Sequence, residues 1–190
     1  MTFHEKPILK LVRNPYDRAV SSFLSMIIHS RPEQANPWGR KPIAAARQLL
    51  GKPSDASPTL SFRDFLRFLA HNGTQSGQIN GHIARQHLAG EDGCIDRIVR
   101  LERFAGEIRQ IESEYRLSQS PLEWIGILRN EGSAERPEGG CSPCVADFEM
   151  TPDQLKDGRF PPYAAFYDEE TRRFVRECFA ADFEAYGYEG

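Results

Sequence analysis

The strongest constraint on the fold is a direct change from strand to helix near the start of the chain. Residues 6–12, KPILKLV, are mostly apolar and lie between Pro7 and the Asn14-Pro15 pair, which is typical of a buried strand. Asn14 can cap a helix, and Pro15 suits the first helical position. The pattern therefore predicts a strand that passes without a loop into a helix, and this helix should end near Ser30.

Later segments repeat the alternation of strand and helix. The apolar pattern of residues 95–101 predicts a second strand. We expect it to pair parallel with the first strand, and both strands should be buried on their two faces. Residues 166–188 read as one amphipathic closing helix capped by Asp168. The chain is therefore predicted to be α/β, a parallel sheet flanked by helices. We expect one domain over residues 1–190, with residues 130–148 as a loop or insertion.

Composition excludes several classes of function. The 190 residues carry a net charge of -3, so we expect no nucleic-acid partner. No apolar run reaches the ~18 residues of a membrane span, so we expect no transmembrane segment. Four cysteines are too few for a disulfide scaffold, which favours the cytoplasm. Cys141 and Cys144 form a C-x-x-C without a second ligand pair, so we expect no metal.

Polar residues cluster where the first strand meets the first helix. Arg13 ends the strand, and Arg18 and Ser21 follow within the first turns of the helix. A helix N-terminus attracts anions, and the guanidinium of arginine presents a fork of donors that suits a phosphate. The spacing favours a phosphate site, although a surface helix with solvated arginines would show the same spacing.

The order and spacing of residues in this segment resemble a known motif. The pattern R-x-P-x-x-R-x-x-S-x-[FY] resembles the 3′-phosphate-binding segment of sulfotransferases. Residues 81–87, GHIARQH, are similar to a His-x-x-x-Gln segment of the carbohydrate branch of that family. Further segments resemble the same family in the same order along the chain. The matching residues are Arg13, Pro15, Arg18, Ser21 and Phe23 in the motif, then His82, Gln86, Glu102, Tyr167, Asp182, Phe183, Gly187 and Tyr188.

The resemblance implies a fold, a reaction and a set of roles. It implies a P-loop-like sulfotransferase fold that moves a sulfonate from 3′-phosphoadenosine 5′-phosphosulfate to an acceptor hydroxyl, here a carbohydrate. Arg13 and Ser21 would hold the 3′-phosphate, and Arg18 would support that site. His82 is the candidate catalytic base. Arg85 and Gln86 would line the acceptor side of the cleft.

One element of the family pattern is missing from the sequence. A Lys- and Gly/Ser/Thr-rich loop for the 5′-phosphosulfate is expected before residue 1, and the stretch at 71–78, HNGTQSGQ, has no lysine. We therefore expect an N-terminally incomplete fold and no transfer by the chain as given. Two alternatives stay open: a non-catalytic remnant that binds a 3′,5′-nucleotide or an anionic glycan, and a protein-interaction module.

Overall fold

The computed structural model describes residues 6–33, 35–53, 59–122, 144–155 and 160–190. Short 3-10 turns at Leu101–Arg103, Asp153–Leu155 and Tyr163–Phe166 accompany the regular elements. The strands and helices, in chain order, are β1 (Leu9–Val12), α1 (Pro15–Ile28), α2 (Arg40–Leu49), α3 (Phe62–Asn72), β2 (Arg97–Arg100), α4 (Phe104–Glu114), α5 (Glu169–Cys178) and α6 (Ala180–Tyr186).

The two strands form a small parallel sheet, which confirms the α/β prediction. Leu9 lies opposite Arg97, and Val12 lies opposite Arg100. The prediction that both strands are buried on two faces is wrong. Val12 and Val99 are buried, whereas Leu9 is 41% and Leu11 is 49% exposed. In the described residues the sheet has two strands, so neighbouring elements cover only part of its surface.

Helix α1 is the centre of the packing, and it begins as the sequence predicts. The Asn14 side chain accepts a hydrogen bond from the Tyr16 N–H, and Pro15 opens the helix. The helix packs against α2, α3 and α5. Phe23 is fully buried, and its ring centroid lies 5.5 Å from that of Phe62 and 6.2 Å from that of Phe166. These edge-on contacts form the middle of one aromatic core.

A buried arginine on α3 attaches two distant segments to that helix. Arg63 is 7% exposed. Its Nε donates to Asp147 at 2.6 Å, and its other guanidinium nitrogens donate to Asp168 and Glu170, both at 2.5 Å. Burial alone would raise the pKa of Asp168, but hydrogen bonds from Arg63 and Thr171 outweigh burial and lower that pKa to about 2. The cluster joins residues 144–149 and the start of α5 to α3.

The closing segment is two helices, so the prediction of one helix over 166–188 is wrong. Asp168 caps α5 with a full capping box, as predicted for the start of that segment. The backbone then leaves helical geometry at Phe179, whose φ is -116° and ψ is 25°. The break lets the Phe179 ring enter the core, where it is 1% exposed, while α6 turns Asp182 toward residues 86–87.

The predicted loop at 130–148 falls mostly on residues 130–143, which lie outside the described residues together with Cys141. Its last residues are placed: the Val145 N–H donates to the Ala165 carbonyl at 2.8 Å. Within the part of the chain that is described, no helix is both long and apolar enough to cross a membrane.

A glycine sets the distance between α1 and the loop that enters α2. The Gly39 N–H donates to the His29 carbonyl at 3.0 Å. A Cβ at position 39 would lie 1.9 Å from the Met26 carbonyl oxygen, far inside van der Waals contact. The close approach therefore requires glycine for a steric reason, and the neighbouring Trp38 is held beside the end of α1.

We expect Gly39→Ala to lower the free energy of unfolding by at least about 2 kcal/mol, because the backbone must move to accept the methyl group. Gly106→Ala is the matched control, since a Cβ there meets no atom within 4 Å. Replacing a glycine inside α4 should stabilise the protein by about 0.5–1 kcal/mol. Equal stabilities of the two variants in urea denaturation would contradict this account.

The Arg63 cluster predicts a loss of stability in acid. Because the pKa of Asp168 falls from 3.8 to about 2 on folding, the folded state binds this proton less readily than the unfolded state. Its contribution is present above about pH 4 and is lost as the pH falls toward 2. Asp168→Asn keeps an N-cap acceptor but removes the charge, so the fall in unfolding free energy between about pH 5 and pH 2 should become shallower. An unchanged slope in denaturant titrations would show that the pair does not act in this way.

Candidate anion-binding site

A small polar pocket lies beside the first turns of α1. Its volume is about 190 Å³. We call it the anion pocket, since its lining in the described part of the chain contains two arginines and several hydroxyls but no acidic side chain. The lining residues are Arg13, Arg18, Ser21, Ser22, Ser25, Gly81 and His82. The structure thus brings Arg13, Arg18, Ser21 and His82 together, whereas Arg85 and Gln86 do not line this pocket.

Helical periodicity explains how α1 contributes to the pocket. Residues 18, 21, 22 and 25 are spaced three or four apart and so share one face of the helix. Arg13 comes from the end of β1, and its guanidinium lies 5.5 Å from the centroid of the Tyr163 ring, a cation–π contact. Tyr163 was not identified from the sequence, because its partner lies 150 positions earlier and no local pattern marks it.

The N-terminus of α1 does not itself face the pocket as an open anion site. The Asn14 N–H donates to the Glu102 carboxylate at 2.6 Å, and the Tyr16 N–H donates to the Asn14 side chain. Glu102 also accepts from the Tyr188 hydroxyl at 3.0 Å. A carboxylate is favourable at this positive end of the helix. Anion binding in the pocket therefore depends on side chains more than on the helix end.

Side chains of α1 hold the turn that carries His82. Arg18 donates through Nη2 to the Ala84 carbonyl at 2.8 Å, and Ser22 donates to the His82 carbonyl at 2.7 Å. Among the described residues, no acceptor reaches Nε of Arg18. Burial lowers the pKa of the Arg18 guanidinium, and the Asp182 carboxylate partly offsets that effect. Arg18 is thus a link between helix and turn as well as a lining residue.

The Gln86 side chain is bound to the backbone of Arg13. The Arg13 N–H donates to Gln86 Oε1, and Gln86 Nε2 donates to the Arg13 carbonyl, both at 2.8 Å. Asp182, which is fully buried, accepts from the N–H groups of Gln86 at 2.9 Å and His87 at 2.7 Å. Gln86 therefore positions Arg13. Contact of Gln86 or Arg85 with a substrate stays a prediction.

His82 is stacked on Trp38, a residue that no pattern in the sequence identified as part of the site. Its ring lies 5.0 Å from the Trp38 ring at an angle of 18°, and the His29 ring lies 5.7 Å from the same indole at 25°. His29 Nδ1 lies 2.8 Å from the Ser25 carbonyl, which can only accept, so Nδ1 carries a proton. The stack fixes the plane of the His82 ring at the edge of the pocket.

The arrangement suits the binding of a small oxyanion. Two guanidinium groups can supply charge-assisted hydrogen bonds, and serine hydroxyls can donate to the remaining oxygens. For metal ions, no cluster of three or more His, Cys, Asp or Glu side chains in the described segments could act as a ligand set. Cys144 is an exposed free cysteine. Cys141 lies outside those segments.

Comparison with known proteins gives one match. A family model described as "Sulfotransferase family" matches residues 3–189. No curated protein matches the chain, and no solved structure matches it.

The Gln86 contact yields a test of how Arg13 is positioned. Gln86→Leu removes both hydrogen bonds to Arg13 and leaves a part-buried N–H and C=O without partners, so unfolding should become easier by about 1–3 kcal/mol. The Arg13 amide should also exchange its hydrogen faster. Gln110→Leu, at an exposed position of α4, is the control. The contact would be unimportant if both variants exchanged this amide at the rate of the parent protein.

Proposed function

Since the chain belongs to the sulfotransferase family, we propose that its function is to transfer a sulfonate from 3′-phosphoadenosine 5′-phosphosulfate to a hydroxyl of a carbohydrate. The 190 residues supply the 3′-phosphate site of the donor, and transfer additionally requires a 5′-phosphosulfate loop. The observation that carries the proposal is the anion pocket, in which Arg13, Arg18, Ser21 and His82 meet. These residues come from two segments about 60 positions apart, and α1 holds them together through the bonds of Arg18 and Ser22.

In this proposal Arg13 and Ser21 bind the 3′-phosphate of the nucleotide. The Arg13 guanidinium can offer two parallel donors to one phosphate, and the Ser21 hydroxyl can add a third. Tyr163 limits the orientations of the Arg13 side chain by contacting the face of its guanidinium. Arg18 adds positive charge, and no carboxylate of the described segments lines the pocket to oppose the phosphate.

His82 is proposed as the base that accepts the acceptor proton. In the reaction, the bond between sulfur and the phosphate oxygen breaks and a bond from sulfur to the acceptor oxygen forms. The acceptor proton passes to His82, and adenosine 3′,5′-bisphosphate leaves. As in phosphoryl transfer, positioning and charge stabilisation supply most of the catalysis. The 3′-phosphate and the sulfonate lie at different ends of the donor, so this role requires a nucleotide extended toward the 80–82 turn.

A second candidate function is nucleotide binding without transfer. In the sequence, no segment predicted to be a strand is followed by a Lys- and Gly-rich loop of the kind that holds a 5′-phosphosulfate. The anion pocket needs no such loop in order to bind a 3′-phosphate. A third candidate, a protein-interaction module that uses the fold without a ligand, predicts an empty anion pocket under all conditions.

Titration calorimetry with adenosine 3′,5′-bisphosphate tests the proposal. The parent chain should bind, and Arg13→Ala should weaken binding by about 1.5–3 kcal/mol, as expected for loss of a hydrogen bond to a charged group. Ser21→Ala should weaken binding by about 0.5–1.5 kcal/mol. Arg173→Ala, on the exposed side of α5, is the matched control and should bind like the parent.

His82→Ala in the same titration separates two roles for this histidine. A base leaves nucleotide affinity nearly intact, whereas an anion ligand loses affinity together with Arg13→Ala. If the parent chain does not bind the nucleotide, the donor proposal fails and the interaction module is favoured. If it binds the nucleotide, a chain extended by a 5′-phosphosulfate loop should transfer label from the sulfonate donor to a sugar, and absence of transfer by that extended chain would favour the non-catalytic candidate.

A further inference from the structure

A larger cavity lies on the other side of the His82 turn from the anion pocket. Its volume is about 650 Å³, and it opens between α2, α3 and the loops at 36–38 and 78–80. That volume is within the range of about 300–1,000 Å³ that is usual for small-molecule sites. We call it the amide-rimmed cavity, after the carboxamide side chains of Asn36, Asn72, Gln78 and Asn80 that line it.

Residues 80–82 and Trp38 form the wall between the two cavities. Gly81 and His82 line the anion pocket, whereas Asn80 and Trp38 line the amide-rimmed cavity. The His82 ring is stacked on Trp38 at 5.0 Å. A molecule in the amide-rimmed cavity therefore lies next to the side chain that separates it from the anion pocket.

The base of this cavity is apolar and well supported. Phe68 is 4% exposed and belongs to the core, and Trp38 and Ile79 pack against that core. The base of the cavity is thus supported by the core, and Gly39 holds the adjacent Trp38 close to the end of α1. An apolar base with a few polar groups at the rim is the usual form of a ligand site.

The rim chemistry indicates the class of ligand. A carboxamide both donates and accepts hydrogen bonds, as a hydroxyl group does, so several carboxamides complement a molecule that carries several hydroxyls. Among the described residues, Lys41 is the one charged residue that lines the cavity, and no arginine lines it. Several arginines or lysines would be expected in a site that recognises phosphate or carboxylate groups. The lining therefore favours an uncharged ligand over an anionic one.

We infer that the amide-rimmed cavity binds an uncharged, polyhydroxylated ring, such as a neutral sugar. Its apolar face lies on the base formed by Phe68 and Ile79, and its hydroxyls bind the carboxamides of Asn72 and Gln78. This inference does not depend on the proposed function.

Saturation-transfer NMR with methyl β-D-glucopyranoside tests the inference. Asn72→Leu and Gln78→Leu each remove one carboxamide from an exposed position, so each should weaken glycoside binding about fivefold or more, the effect of one hydrogen bond. Gln75→Leu is the control, because this exposed glutamine lies in the same loop but does not line the cavity. The thermal midpoints of all variants should match that of the parent.

Two further probes test the ligand class and the position of the site. Methyl β-D-glucuronide differs from the glucoside by a carboxylate and should bind no more tightly. Tenfold tighter binding of the glucuronide, or binding of phenol without binding of the glucoside, would overturn the inferred class.

Glycoside signals should persist when adenosine 3′,5′-bisphosphate is added, and competition between the two would place the sugar in the anion pocket and overturn the assignment. Failure of the nucleotide alone to bind would reject the donor proposal and leave the glycoside result to be judged separately.

Discussion

The part of the molecule that carries the anion pocket depends on a buried carboxylate. Asp182 accepts two backbone hydrogen bonds from residues 86 and 87, and Gln86 in turn binds both backbone groups of Arg13. A buried carboxylate is stable only when such donors satisfy it. These hydrogen bonds therefore hold three parts of the chain together: the end of β1, the segment that follows the His82 turn, and α6.

Opposite sides of helix α1 face the core and the anion pocket. Ala19, Val20 and Phe23 are fully buried among aromatic neighbours, whereas Ser21 and Ser25 line the pocket. Because one rigid helix bears both sets, the position of the pocket residues follows from the packing of the core. The packing of the core therefore supports the geometry of the site together with the hydrogen bonds described above.

Local signals predicted the parts of the fold that depend on nearby residues. Asn14 and Pro15 marked the start of α1, and the three-to-four spacing of Arg18 and Ser21 placed both on one face. Long-range effects could not be predicted in the same way. The bond from Gln86 to Arg13 joins positions 73 apart, and the break of the closing helix at Phe179 follows from the space that the core offers this ring. The exposure of Leu9 and Leu11 likewise depends on which elements cover the sheet, and apolar composition does not carry that information.

The way in which the His82 turn is attached to α1 has a consequence for substitution at position 82. Arg18 and Ser22 bind main-chain carbonyls of residues 81, 82 and 84, and the Asn80 side chain binds the main-chain N–H of His82. None of these bonds uses the side chain of residue 82. A substitution at position 82 accordingly leaves these hydrogen bonds in place, so the backbone of the turn tolerates a different side chain there.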